Sequence, residues 1–285
     1  MKKYNCPECY SPLNEFFSCE NGHHFSQKEG ILSLFSQKEA ERAAVFLEKF
    51  QAFREKSGLR ITEESLYPQL PFVQNGLAGT SWKARAFDLK YIFSQLEKNK
   101  SLEILEIGAW NGWLSHQLAE AGHDVTAIDI FMDKYDGLAA MQFYPQTWNC
   151  LQMDIEEVDK LISAKFDLII LNWGAAYISD LPLYVDKLKT MLKEKGKIIF
   201  IGIAVYLNPT QKATEIAAFN AVYKAEYGTD LFFKPCKGYL TWEDKKKLEK
   251  KGVKLKLYPF WRSQLRALLM RKGAVAFYGR ADFRR

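Results

Sequence analysis

Leu102-Glu-Ile-Leu-Glu-Ile-Gly-Ala-Trp-Asn-Gly-Trp-Leu-Ser115 is the stretch whose reading decides the fold. Leu102 to Ile107 reads as a buried strand, the next five residues as a tight loop, and Trp113 onward as the start of a helix. Gly108 and Gly112 let the main chain turn and approach a ligand closely. The following Gly122-His-Asp-Val-Thr-Ala-Ile-Asp129 supplies a second strand, Val125 to Ile128, with an acidic residue at its carboxyl end. That end of an open α/β sheet is where ligands are presented. A carboxylate there can accept both hydroxyl hydrogens of a ribose, or can cap the next turn.

Outward from this nucleus the chain alternates strands and helices, which implies parallel strands with right-handed crossovers. The spacing predicts a helix around Tyr135 to Phe143, a strand over Trp148 to Met153, a fourth strand from Phe166 to Asn172, and a helix over Leu181 to Leu192. A turn at Lys193 to Gly196 leads into a fifth strand ending at Ile201, with Gly202 to Tyr206 beyond it. Thr210 to Tyr223 is helical in pattern, and Thr241 caps a helix over Trp242 to Lys250. Val253 to Tyr258 and Ala274 to Tyr278 read as two late strands around a basic helix near Arg262 to Met270. Asp167 ties neighbouring strands or loops together rather than performing chemistry.

Glu106-Ile-Gly108-Ala-Trp-Asn-Gly112 followed by Asp129 resembles the cofactor loop of class I methyltransferases that use S-adenosylmethionine. The resemblance extends from about residue 80 to the end. It implies an α/β fold with a seven-stranded, doubly wound Rossmann-like sheet whose last strand inserts antiparallel. It also implies that S-adenosylmethionine is held by Glu106, Gly108, Ala109, Gly112, Asp129, Ile130, Asp154, Ile155 and Asn172. In that reading Glu106 orients the loop or meets the cofactor amine, Asp129 takes the ribose, Ile130 and Ile155 lie against adenine, and Asp154 reads its exocyclic amine. Asp154 is equally placed to cap the helix after it. The chain departs from the family pattern at Trp110, where the middle glycine is expected. A dinucleotide-binding domain needs Gly-x-Gly-x-x-Gly, which Gly108-Ala-Trp110-Asn-Gly112-Trp113 does not supply.

Three of the five cysteines lie in the first 19 residues. An odd, clustered set favours a metal clip in a reducing compartment over a secreted disulfide framework. Cys6-Pro-Glu-Cys9 and Cys19-Glu-Asn-Gly-His23 offer three sulfurs and one imidazole, a tetrahedral donor set for structural zinc. His24 can replace His23 on spacing alone, and a redox Cys-x-x-Cys or a metal-free remnant is the alternative. About 30 residues bury too little apolar surface to hold together unaided; Phe16, Phe17, Phe25, Ile31, Leu32 and Leu34 are the available small core. Residues 4 to 35 resemble the zinc ribbon at the front of bacterial ribosomal RNA guanine methyltransferases. That resemblance implies Cys6, Cys9, Cys19 and His23 as the ligands.

Three domains are expected: a zinc ribbon over 1–35, a helical connector and possible lid over 36–80, and a methyltransferase domain over 81–285. In the connector, Ala40, Ala43, Ala44, Leu47, Phe50 and Phe53 recur at helical spacing from Gln37 to Lys56. A second helix starts at Ser81 as cap and buries Trp82, Ala86, Leu89, Ile92, Phe93 and Leu96. Tyr67, Phe72, Trp82 and Arg85 are the candidate lid or cleft residues.

The chain has 285 residues, 48% of them hydrophobic, and a net charge of +6. From Lys245 onward, 14 Lys or Arg stand against Glu249 and Asp282, leaving the first 244 residues at −6. Such a basic end can attract phosphate polymers, or can simply solvate the face of a core strand. No apolar run approaches the roughly 20 residues of a membrane span, and no signal core follows Met1. A cytoplasmic protein without a membrane partner is expected; the sequence leaves the oligomeric state open.

The function these readings support is methyl transfer from S-adenosylmethionine to a small-molecule acceptor. The alternatives are base methylation of ribosomal or transfer RNA, and a cofactor-binding partner protein without catalysis. Asn172, Tyr177 and Tyr206 are the candidates for the catalytic neighbourhood. His116 and His123 are read as structural.

Overall fold

The computed structural model describes residues 4–97, 99–270 and 273–283, apart from the side chains at 261–263, 266 and 270. Among the described residues, nine strands are ordered β1-β2-β5-β4-β3-β6-β7-β9-β8 along one mixed sheet. They are β1 Gln27–Lys28, β2 Ile31–Ser33, β3 Glu103–Ile107, β4 Asp124–Asp129, β5 Asn149–Gln152, β6 Phe166–Asn172, β7 Leu192–Tyr206, β8 Lys254–Leu257 and β9 Ala274–Asp282. The helices are α1 Gln37–Lys56, α2 Trp82–Phe93, α3 Trp113–Glu120, α4 Val158–Leu161, α5 Leu181–Thr190, α6 Pro209–Tyr227, α7 Trp242–Lys250 and α8 Trp261–Met270.

The expected seven strands are therefore corrected to nine. The two extra strands come from the amino-terminal segment, where β2 pairs parallel with β5, Ile31 opposite Cys150. Ile31 and Leu32 are buried in this way. An amino-terminal segment too small for its own core gains its burial by adding to a sheet edge.

Two compact units divide the chain at Leu168 and Ile169. In the first, β3 and β4 pair parallel from Glu103–Asp124 to Ile107–Ile128, and β4 pairs parallel with β5. Ile104, Leu105 and Ile107 are fully buried, as a strand covered on both faces requires. Asp167 Oδ2 accepts from Glu103 N at 2.9 Å, the strand-tying role expected of it.

The connector helix α1 begins at Ser36 with a reciprocal capping box to Glu39. Of the predicted stripe only Ala43 is buried, together with Phe46, which lies outside it; Ala40 and Ala44 are exposed, and Phe46 and Phe50 meet Phe131 at 6.4 and 5.0 Å. Ser81 makes no side-chain cap to α2. Asn75 Oδ1 accepts from Lys83 N instead, at 3.1 Å, so the cap comes from outside the helix. Trp82, Leu89 and Ile92 are buried as expected, whereas Phe93 is exposed.

In the second unit β7 and β9 are antiparallel from Lys197–Asp282 to Tyr206–Ala274, and β9 pairs antiparallel with β8. The late strands thus take the predicted arrangement. The fifth strand does not stop at Ile201: a register shift between Phe200 and Ile203 carries it on to Tyr206. Gly202 sits at that irregularity with φ +70°. Helix α7 starts from the predicted Thr241 through a capping box with Asp244. Arg271, Lys272, Arg284 and Arg285 of the basic end lie outside the described residues. No helix among the described residues is long and apolar enough to cross a membrane.

Candidate functional site

The loop between β3 and α3 is fastened to β4 by two N–H groups on one carbonyl. Gly108 N and Ala109 N donate to Ile128 O at 2.9 and 3.1 Å. Trp110 N then donates to Asp129 Oδ2 at 2.8 Å, and Phe131 N to Asp129 Oδ1 at 3.1 Å. Burial pushes the Asp129 carboxyl above its usual range, opposed by the N–H groups of Trp110, Phe131 and Ile130. Glu106 is fully buried, and its Oε2 accepts from the Ser115 hydroxyl at 2.5 Å. This bond ties Glu106 to the first turn of α3.

Gly112 has φ +76°, and a Cβ there would lie 2.6 Å from Trp148 Cζ2. Its small size is needed for an indole packed on the loop from behind. Met153 N donates to Asp129 O at 3.0 Å, which brings the end of β5 beside the end of β4. Asp154 Oδ1 accepts from Glu156 N at 3.0 Å and so caps the next turn. Ile130 and Ile155 are both half-buried. Glu106, Gly108, Ala109, Gly112, Asp129, Ile130, Asp154 and Ile155 thus all belong to adjoining strand ends and their loops in the first unit.

Trp110 takes φ +49°, which is strained for a residue with a side chain. Its ring stacks on Trp82 at 5.9 Å, and its Nε1 donates to Asp136 Oδ1 at 3.2 Å. The guanidinium groups of Arg54 and Arg85 each lie 5.7 Å from its centroid. Asp136 also accepts from Arg54 at 2.8 and 3.1 Å, while Arg60 meets Asp133 at 2.6 Å and Asp136 at 3.6 Å. The middle position of the loop is therefore the point at which the connector is fastened. Of the candidate lid residues, Trp82 and Arg85 belong to this cluster. Tyr67 belongs to the core: it is fully buried and its hydroxyl hydrogen-bonds Ile61 O and Tyr135 O, each at 2.8 Å. Phe72 is exposed.

In the second unit Asn172 is buried at the end of β6. Trp173 follows with φ +56°, its ring resting where a Cβ on Gly202 would stand 2.1 Å away. Tyr177 is exposed and meets Phe232 at 5.9 Å; Tyr206 meets Tyr239 edge-on at 6.4 Å. The three catalytic candidates accordingly sit at the carboxyl ends of β6 and β7 or just beyond, among aromatic rings. His116 is buried against Tyr144 at 4.8 Å, in keeping with a structural role.

At the amino terminus the ligand atoms of Cys6, Cys9, Cys19 and His23 all lie within 4.8 Å of one another. Cys9 Sγ and Cys19 Sγ are 3.7 Å apart, and His23 Nδ1 is 3.5 and 3.4 Å from the sulfurs of Cys6 and Cys19. A tetrahedron with zinc-type bond lengths has S–S edges of about 3.8 Å and S–N edges of about 3.6 Å. The donor set fits a metal ion. His24 is engaged elsewhere, its Nδ1 2.9 Å from Ser18 Oγ, so His23 is the fourth member.

The seven strands from β3 onward, the loop that closes on a carboxylate at the end of the neighbouring strand, and the antiparallel insertion of β9 form one pattern. Residues 105–200 match the methyltransferase domain family. The fold is that of a class I SAM-dependent methyltransferase. A malonyl-[acyl-carrier protein] O-methyltransferase from Acetivibrio thermocellus is 32% identical over 107 residues, covering 37% of this chain and 37% of that relative. A ubiquinone biosynthesis O-methyltransferase from Rickettsia bellii is 25% identical over 177 residues, covering 58% of this chain and 71% of the relative. Among solved structures, the plantazolicin methyltransferase BamL, in complex with a triazolic desmethylPZN analog and SAH, aligns over 87% of this chain and 98% of its own. Its TM-score is 0.47 and its identity 14%.

The sequence left out Arg54, Arg60, Asp133 and Asp136, which organise the rim of the methyltransferase loop. Arg54 and Asp136 are 82 residues apart, and no spacing rule links them. Trp148 reads only as the start of a strand; a large residue facing a required glycine across 36 positions leaves no periodic signal.

Proposed function

We propose that this chain transfers a methyl group from S-adenosylmethionine to a small-molecule acceptor. The observation that carries the reading is Asp129, whose two oxygens each accept one backbone N–H from the loop and its continuation. The Ile130 N–H adds a third donor, which leaves about one of the carboxylate's four lone-pair sites for a ribose hydroxyl. In this reading Gly108 and Ala109 give the close backbone approach, Ile130 and Ile155 flank adenine, and Asp154 receives its amine on the carboxylate side not used for capping. Glu106 keeps the loop and α3 in register through Ser115.

When bound, S-adenosylmethionine supplies a methyl group on a positively charged sulfur. The chain holds and orients the two partners, and such positioning can account for much of the acceleration. The relatives are named for O-methylation, which favours an oxygen acceptor. An alcohol then needs a group to take its proton, whereas a carboxylate does not. Isothermal titration with S-adenosylhomocysteine tests the binding half: Asp129→Ala should weaken affinity at least tenfold, and equal affinity would remove Asp129 from the site.

The Cys6, Cys9, Cys19 and His23 cluster is proposed as a structural zinc site with no open position. A resemblance at this finer level to the zinc-ribbon ribosomal RNA guanine methyltransferases favours a second reading, base methylation of RNA. Lys246, Lys250, Lys254 and Lys256 are exposed on α7 and β8 and could meet phosphates. Labelled methyl transfer to total RNA, absent under conditions where a small acceptor is methylated, would dismiss it.

A further inference from the structure

We infer that Trp110 and Asp136 are positioning residues for the methyl donor, their side-chain bond holding the loop so that the Asp129 carboxylate keeps its remaining lone pair for the donor ribose; this rests on the methyl-transfer reading. Every residue involved belongs to the first unit.

Trp110 grips the segment after β4 at two points. Its backbone N–H donates to Asp129 Oδ2 at 2.8 Å, while its indole Nε1–H donates to Asp136 Oδ1 at 3.2 Å. The two acceptors are fixed relative to each other because the chain between them closes on itself. Phe131 N donates to Asp129 Oδ1 at 3.1 Å, Leu138 N to Phe131 O at 2.9 Å, and Tyr135 N and Asp136 N each to Asp133 Oδ1 at 2.8 Å. This loop has no room to give: a Cβ on Gly137 would lie 2.4 Å from Asp133 N and 2.6 Å from Phe131 O. An indole anchored on Asp136 therefore holds the Trp110 N–H on Asp129.

The backbone at this position needs such an anchor. Trp110 stands at φ +49° between Gly108 at +78° and Gly112 at +76°, a conformation that a side chain keeps only where its surroundings over-determine it. Here they are the bond to Asp136 and the Trp82 ring, stacked at 16° and 5.9 Å. Burial pushes the Asp129 carboxyl up, and the Trp110 N–H is the first of the N–H groups that oppose it. Its loss would favour the neutral acid, which has less acceptor capacity to offer a ribose hydroxyl. Asp136 is oriented in turn from the connector, where Arg54 in the last turn of α1 donates to Oδ2 through Nε at 2.8 Å and to Oδ1 through Nη2 at 3.1 Å.

Calorimetry with S-adenosylhomocysteine on the full chain tests this in Trp110→Phe, Asp136→Ala and the double variant, each first shown to keep a cooperative thermal transition. Trp110→Phe keeps an aromatic ring for Trp82 and loses the N–H donor to Asp136, so its Kd is expected to weaken about fivefold. The double variant should match the weaker of the two single variants within about twofold, because both substitutions remove the same bond. A role in stability alone would lower the thermal midpoint and leave the Kd of the folded protein where it was. Trp110→Gly, which supplies the family's middle glycine, should also bind more weakly than the intact chain. An unchanged Kd in Trp110→Phe or Trp110→Gly, or fully additive losses in the double variant, would overturn the inference; Trp110→Phe decides it alone if the Asp136 variants do not fold. Failure of the intact chain to bind S-adenosylhomocysteine would instead remove the methyl-transfer reading, and this inference with it.

Discussion

The amino-terminal clip and the cluster around Trp110 both hold a segment against the methyltransferase body, by opposite means. The clip gathers four donor atoms from 18 consecutive positions and has almost no apolar interior: Phe16 is exposed, and the segment's buried Ile31 and Leu32 belong to the sheet edge. The Trp110 cluster gathers Arg54, Arg60, Trp82, Arg85, Asp133 and Asp136 from widely separated positions and depends on stacking and partly buried ion pairs. The first should respond to chelation and to acid, the second to truncation of a ring or a charge.

The largest contrast is metal removal. Structural zinc binding contributes about 10–16 kcal/mol in small zinc modules, and it is folding energy. Chelation, or Cys19→Ser, should release one equivalent of zinc and open residues 4–30 to protease while the methyltransferase body keeps its thermal transition. Simultaneous loss of both would erase the distinction between the two regions. Next comes Trp82→Ala, expected to cost about 3–5 kcal/mol for removing a fully buried ring, read as a fall in the main denaturant midpoint with zinc content unchanged. Asp136→Ala should follow at about 3 kcal/mol, since it leaves two guanidinium groups and an indole N–H without their shared acceptor. If Asp136→Ala leaves stability unchanged, the cluster is held by stacking alone. The smallest effect is Thr241→Ala in the second unit, about 1 kcal/mol for loss of the α7 cap, which should disturb neither region.

The difference also explains what could be read from the sequence. The clip was legible because its ligands recur at short, chemically constrained spacings; only the choice between His23 and His24 needed coordinates, in which Ser18 engages His24. Strands β3 to β7 were legible because a strand buried on both faces is a short apolar run bounded by turn residues, and β9 because its burial alternates along the strand; glycine and aspartate mark the loop ends. The two added strands were not, since Ile31 to Ser33 is too short to declare its pairing with a strand more than 110 residues later. The same limit applies to Asn75 replacing Ser81 as the α2 cap and to Tyr67 leaving the cleft for the core. Trp110 departs from the family's glycine pattern; its role as a fastening point lies in partners that the sequence places 28 residues before it and 26 after.

Central to the account is a donor site built on Asp129. Titration calorimetry of S-adenosylhomocysteine into the intact protein and into Asp129→Asn tests it most directly. The account predicts one site per chain in the intact protein and at least tenfold weaker binding in the variant, with a retained cooperative thermal transition as the control for folding, since the amide turns one buried acceptor into a donor facing an N–H group. No binding to the intact protein, or equal binding to both, would contradict it.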